Sequence, residues 1–101
     1  MEIVPGYRAV KRLARERPDW LTIVEACLEE AKETKGEFAG AWVLTKAKEK
    51  GITWFPNLRL LVGYGILKHE DTTRAGRQAY YIMPDPEGVE MALQELKDSG
   101  K

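Results

Sequence analysis

The sequence contains one cysteine, Cys27, and one histidine, His69. A single cysteine cannot form an intrachain disulfide, and these two residues alone cannot supply the ligands of a structural zinc site. No cofactor motif is present either, because Gly63 and Gly65 follow a predicted helix and lack the strand–loop–helix context of a phosphate-binding loop. We therefore expect the packing of apolar side chains to hold this fold together.

Long apolar segments are also missing. No run approaches the roughly 20 apolar residues that a membrane-spanning helix needs. The start of the chain, MEIVPGYRAVKR, lacks the apolar stretch of a secretory signal peptide. We expect a cytoplasmic protein that does not associate with membranes. With 101 residues, of which 44% are hydrophobic and 32% charged, the chain has the size and composition of one globular domain.

The chain has no net charge, because 16 basic residues balance 16 acidic residues. A balanced total argues against a protein devoted to binding phosphate groups. The charges are nevertheless segregated along the sequence. Residues 8–17 and 50–84 are net basic, whereas residues 19–49 and the segment from residue 85 onward are net acidic. This distribution predicts a polarised surface.

Residues 6–17 have the pattern of a short basic amphipathic helix that ends before Pro18. Its apolar face holds Tyr7, Val10, Leu13 and Ala14. The other faces carry four cations with the chemistry to contact phosphate, namely Arg8, Lys11, Arg12 and Arg15. Two interpretations stay open: the segment is a phosphate-contacting arm, or it is a solvated helix that docks by its apolar side.

A second amphipathic helix is predicted from Trp20 to about Lys35, with Asp19 as its N-cap and Gly36 as its stop. Its apolar residues recur at helical spacing, at Trp20, Ile23, Val24, Cys27, Leu28 and Ala31. Because Cys27 belongs to this stripe, we expect a packed core thiol and not a reactive one.

The segment after Gly36 predicts a short strand at residues 38–39. A helix then starts near residue 40 or 41, and Gly51 closes it. A third helix is predicted from Trp54 to about Tyr64, with Thr53 as its cap and Pro56 in its first turn. Only three residues, 51–53, would connect these two helices, and such a tight connection is typical of a helix-turn-helix.

Two strands are predicted beyond the stop at Gly65, at residues 66–70 and 78–83. The loop between them, residues 71–77, is rich in turn formers and basic residues. A final helix follows Asp85, the predicted N-cap, with Pro86 in its first position. Its apolar face consists of Val89, Ala92, Leu93 and Leu96.

From about Asp19 to Met83 the chain resembles a winged-helix DNA-binding domain. The residues that carry the resemblance are Leu58 and the run from Leu61 to Leu67, LVGYGIL, which matches the L-x-x-x-G-(L/I)-(I/L) end of a recognition helix, and the hairpin end AYYIM at 79–83. The resemblance implies an α+β fold, with a three-helix core and a wing hairpin of two or three antiparallel strands. Residues 1–18 would be an N-terminal basic helical arm, residues 19–84 the winged-helix domain, and residues 85–101 a C-terminal helix packed on it.

The resemblance also implies double-stranded DNA binding of the kind found in prokaryotic transcription regulators. A recognition helix over residues 52–64 would enter the major groove, where Arg59 suits guanine and Asn57 suits adenine. The implied recognition residues are Thr53, Phe55, Pro56, Asn57 and Arg59. The implied wing contacts to phosphate or the minor groove are Lys68, Thr72, Thr73, Arg74 and Arg77.

A winged-helix domain that binds protein instead of DNA is the alternative. The outward face of the third helix, from Phe55 to Leu60, is apolar and would be a costly patch if left in water. A homodimer formed through the terminal helices would space two recognition helices along DNA. We do not expect an enzyme, since His69 stands without the partners of a catalytic or metal site.

Overall fold

A computed structural model gives the structure of residues 5–34, 37–70 and 80–100. The fold over these ranges is a mostly helical α+β arrangement with one small antiparallel sheet. The helices are α1 (Pro5–Glu16), α2 (Leu21–Thr34), α3 (Gly40–Glu49), α4 (Arg59–Tyr64) and α5 (Pro86–Gly100), and the strands are β1 (Phe38–Ala39), β2 (Lys68–Glu70) and β3 (Tyr80–Ile82).

Helices α1 and α5, from opposite ends of the chain, pack closely against each other. Asp85 joins their N-termini, because its Oδ1 accepts the Gly88 N–H at 3.2 Å and its Oδ2 accepts the Gly6 N–H at 3.1 Å. The predicted N-cap at Asp85 is therefore confirmed, and the same carboxylate also satisfies an N–H in the first turn of α1. Gly6 lies so close to α5 that a Cβ atom there would be 2.8 Å from the Asp85 carbonyl oxygen.

The core lies around α2, and the predicted apolar stripe of this helix is confirmed. Trp20, Ile23, Val24, Cys27 and Leu28 are buried. The helix begins one residue later than predicted, at Leu21, because a 3-10 turn at Pro18–Trp20 precedes it, and Asp19 lies in that turn instead of capping the helix. Other elements complete the core with Val10, Leu13, Phe38, Leu61, Ile66, Tyr81 and Val89.

The three strands form one antiparallel sheet in the order β1-β3-β2. Phe38 pairs with Tyr81, and His69 pairs with the other side of Tyr81. The predicted short strand at residues 38–39 is confirmed, and α3 follows it directly at Gly40. Strand β2 starts two residues later than predicted, because the N–H groups of Ile66 and Leu67 bond back to the carbonyl oxygen of Leu61. Gly65, with φ of 91°, ends α4 as predicted.

The prediction of the third helix is wrong in its first half. Helix α4 begins at Arg59 and not at Trp54, so Thr53 caps no helix and Pro56 is not in a first turn. Proline disfavours helical backbone at the residue before it, and the packing of Trp54 on Trp20, with ring centroids 5.3 Å apart, holds the chain away from a helical path. The connection from α3 to α4 is therefore an irregular segment, residues 50–58, and not a tight turn.

Candidate nucleic-acid interface

The four cations of the predicted arm lie on the outward side of α1. The inward side of this helix carries Val10 and Leu13, which are fully buried, so the helix docks by its apolar side, and phosphate contact by its outward cations stays a prediction. The outward residues line an open cleft of about 490 Å³ together with one residue of α4. The cleft is formed by Tyr7, Arg8, Ala9, Lys11, Arg12, Arg15 and Tyr64.

Tyr64, the last residue of α4, connects this helix to α1. The Arg12 guanidinium lies over the Tyr64 ring, 5.3 Å from its centroid, and the Tyr64 hydroxyl donates to Glu16. This hydrogen bond, together with the ion pair to Arg12, holds the pKa of Glu16 below its usual range, and it raises the pKa of Tyr64. The basic side of α1 and the end of α4 therefore form one continuous surface.

Two of the four arm cations already have partners. Lys11 Nζ lies 3.2 Å from Glu95 Oε1, and Arg12 Nε lies 3.3 Å from Glu16 Oε2. Arg8 and Arg15 are exposed and make no ion pair with any residue in the described ranges. These two arginines are the arm residues that remain available to phosphate groups.

Most acidic side chains of α2 and α5 are neutralised by lysines elsewhere on the surface. Lys46 approaches Glu30 at 3.4 Å and Glu33 at 3.2 Å, and Lys50 lies 2.8 Å from Glu29. Lys32 pairs with Glu90, and Lys97 pairs with Glu25. Over the part of the chain that the structure describes, the cations without an acidic partner are Arg8, Arg15, Arg17, Lys48, Arg59 and Lys68.

The predicted recognition residues do not share a helix. Thr53, Phe55 and Asn57 are exposed in the 50–58 connection, Pro56 is buried there, and only Arg59 belongs to α4, as its exposed first residue. The prediction that Asn57 faces a base is weakened, because its Oδ1 accepts the Arg59 N–H at 3.1 Å and so forms the turn that starts α4.

The burial of the neighbouring apolar residues also differs from expectation. Trp54, the first residue of the predicted third helix, is 38% exposed, whereas Leu60, predicted to point outward, is partly buried against the core. Trp54 lies in the connection and not in α4, which begins at Arg59, so the helical pattern does not describe its burial. The apolar face from Phe55 to Leu60 is therefore not one exposed patch.

The predicted wing is described only at its edge. Lys68 is exposed in β2, while Thr72, Thr73, Arg74 and Arg77 lie outside the described residues. His69 packs edge-on against the Tyr81 ring, with centroids 5.3 Å apart.

Burial raises the pKa of the Cys27 thiol far above its usual range, so this cysteine has no nucleophilic thiolate at neutral pH.

A second concave surface was not predicted from the sequence. It is an apolar groove of about 260 Å³ between α3 and the connection, lined by Leu44, Ala47, Lys48, Ile52, Thr53, Trp54, Phe55 and Pro56. The spacing of Leu44 and Lys48, one helical turn apart on α3, already places them on a common face. What the sequence leaves open is which part of the chain packs across that face.

Within residues 5–34, 37–70 and 80–100, no three His, Cys, Asp or Glu side chains are grouped so as to hold a metal ion. The helices in these ranges are all too short or too polar to cross a membrane. No protein-family model matches the chain, and neither a curated protein nor a solved structure shows significant similarity to it.

Proposed function

We propose that this domain binds double-stranded DNA in the manner of a winged-helix protein and acts as a transcription regulator. The observation that carries the proposal is the junction of α1 with α4. Arg12 and Tyr64 bring the exposed arginines of the arm, Arg8 and Arg15, beside the helix proposed to enter the major groove. A basic surface of this kind matches the repeating negative charge of a duplex backbone.

The order of elements also supports the proposal. Three helices, α2 to α4, precede an antiparallel pair of strands, and β1 adds a third strand to that pair. This arrangement is compatible with the three-helix core and wing hairpin of a winged-helix domain. In this proposal Lys68, exposed on β2, contributes a phosphate contact beside the wing.

Contacts to the DNA backbone dominate the proposed mode of binding. Helix α4 has only six residues, and Arg59 is its one exposed charged residue. A single arginine distinguishes guanine at one position, so most of the proposed affinity comes from phosphate contacts by Arg8, Arg15 and Lys68. Such binding is weakly sequence-specific and falls steeply as the salt concentration rises.

Fluorescence anisotropy with a labelled mixed-sequence duplex, measured over a series of salt concentrations, tests the proposal. We expect micromolar affinity that weakens with salt. In the Arg8→Ala/Arg15→Ala variant, the slope of log K against log salt should fall in magnitude by about 2, since each phosphate contact contributes roughly 0.9.

The matched control is Lys32→Ala/Lys97→Ala, which removes two cations that are paired with acids between α2 and α5. This variant should keep the slope of the wild type. An absence of binding at low salt, or equal losses in the two variants, would contradict the proposal, the second because it would reflect net charge and not a localised surface.

A protein-binding domain is the second candidate, favoured by the 76% exposure of Phe55 beside the apolar groove. Large exposed apolar residues that border a groove are common at protein interfaces. This candidate predicts no salt-dependent affinity for DNA in the same titrations, whereas a homodimer through the terminal helices is compatible with DNA binding. Sedimentation of the wild type across a concentration series tests the dimer directly.

A further inference from the structure

Phe55 is held outward by the residues on either side of it. Trp54 packs on the buried Trp20, with ring centroids 5.3 Å apart, and Pro56 is itself buried. At the start of the connection, the N–H of Ile52 bonds to the carbonyl oxygen of Ala47 at 3.0 Å. Both neighbours are anchored in this way, and Phe55 between them is 76% exposed.

The groove beside Phe55 has the charge of a site for an anion. Lys48 lines it, Thr53 adds a hydroxyl group, and no acidic side chain is among the described residues that form it. Lys48 makes no ion pair within the described ranges. An exposed aromatic ring next to an unpaired cation is complementary to a nucleotide, whose base stacks on the ring while its phosphate meets the cation. An apolar protein segment would offer no anionic group to Lys48.

We propose that Phe55 stacks on a nucleobase that is unpaired within, or at the end of, a DNA duplex, and that Lys48 contacts the adjoining phosphate. This inference rests on the proposed DNA binding and adds a preference for DNA with a disrupted base pair. Phe55 lies four residues before Arg59 on the segment that leads into α4, so the stacking site borders the proposed major-groove helix. A base that is already unpaired is favoured because it needs no unstacking.

The test compares a fully paired labelled duplex with the same duplex carrying one bulged thymine, by anisotropy at fixed salt. The wild type should bind the bulged duplex more tightly. Phe55→Ala should lose about tenfold in affinity for the bulged duplex, the scale of one base–aromatic stacking contact, and should lose less on the paired duplex. Phe55→Trp should retain the preference, because tryptophan offers an equivalent ring.

Met91→Ala is the matched control, since Met91 is another exposed large apolar residue, 52% exposed on α5, and this variant should bind both duplexes as the wild type does. Equal affinity of the wild type for the two duplexes, or an equal loss on both in Phe55→Ala, would overturn the stacking site and leave DNA binding intact. Failure to bind either duplex would overturn both proposals and favour a protein at the groove.

Discussion

The two charged sides of this molecule are built differently. On the side formed by α2 and α3, the Lys46 side chain is only 18% exposed and contacts the carboxylates of Glu29, Glu30 and Glu33. On the side formed by α1, Arg8 and Arg15 are exposed and make no ion pair in the described ranges. The cations around Lys46 are held in charge pairs, whereas α1 leaves two of its four outward cations without an ion pair in the described ranges.

This difference explains how a chain of zero net charge can present a surface suited to phosphate groups. Carboxylates on α2 and α5 form ion pairs with Lys32, Lys46, Lys50 and Lys97. They therefore do not cancel the positive potential around Arg8 and Arg15 at close range. Net charge is a sum over the whole surface, whereas a duplex responds to the local distribution. The balanced total is therefore a weaker argument against DNA binding than the sequence alone suggested.

The largest expected effect concerns the packing of α1, the helix that carries Arg8 and Arg15 and is called here the arginine side, against α5. Gly6→Ala should destabilise the protein by about 1–3 kcal/mol, because the new methyl group would meet the Asp85 carbonyl oxygen and the Val89 side chain and push α1 away from α5. Urea unfolding measures the loss. We also expect weaker DNA binding, since the same shift moves Arg8 and Arg15 relative to α4.

Gly63→Ala is the control for this variant. Apart from its chain neighbours and the backbone of its own helix, a Cβ atom at Gly63, near the end of α4, would have no atom within 4 Å, so alanine there should stabilise the helix by roughly 0.5–1 kcal/mol. If the two variants had equal stability, the close contact between α1 and α5 would not be what attaches the arginine side.

The parts of the fold that the sequence predicts are those fixed by local chemistry. The buried stripe of α2, with Ile23 and Val24 at its centre, follows from helical periodicity. The start of α5 follows from the capping preference of Asp85, and the end of α4 from the left-handed backbone that Gly65 tolerates. In each case the cause lies within a few residues of the effect.

The parts that the sequence does not predict depend on contacts between distant residues. A cap, a proline and an apolar stripe all favoured a helix from Trp54, but the packing of this residue on Trp20 gives the connection a different path. The pairing of Lys46 with Glu30 likewise depends on how α3 packs on α2. For the candidate site, periodicity identified the arginines of α1 as outward, while their position beside Tyr64 required the tertiary structure.

A second prediction separates the functions of the two charged sides. Lys46→Met keeps the aliphatic stem but leaves Glu30, which is 8% exposed, without its cation. It should therefore lower the urea midpoint more than Lys32→Met, whose pair with Glu90 is half exposed. DNA affinity should not fall. Arg15→Met should do the opposite, changing stability by no more than about 0.5 kcal/mol while reducing the salt slope by about 1.

The pH dependence of stability provides a check on the Lys46 variant. The hydrogen bond to Glu33 raises the pKa of Lys46. Because this pKa is higher in the folded state, the charge of Lys46 contributes its full stabilisation below the pKa of the unfolded state, about 10.4. That stabilisation is lost as pH rises through the pKa of the folded state. Wild type and Lys46→Met should therefore converge in stability at strongly alkaline pH. A constant difference between them across that range would contradict the proposed charge pairing.

The smallest expected effect concerns the hydrogen bond between Tyr64 and Glu16, which joins α4 to α1. Tyr64→Phe removes the hydroxyl that donates to Glu16, and the pKa of Glu16, held low first by this bond and then by Arg12, should rise toward its usual value. A lowered pKa contributes stability above the unfolded value of about 4.3, and this contribution is lost as pH falls through the folded value. The variant should therefore be slightly less stable than the wild type at neutral pH, and the difference should shrink in acid. An NMR titration of the Glu16 carboxyl measures the pKa, and an unchanged value in the variant would mean that the arginines of α1 hold Glu16 without Tyr64 and that α4 is not tied to the arm by this hydrogen bond.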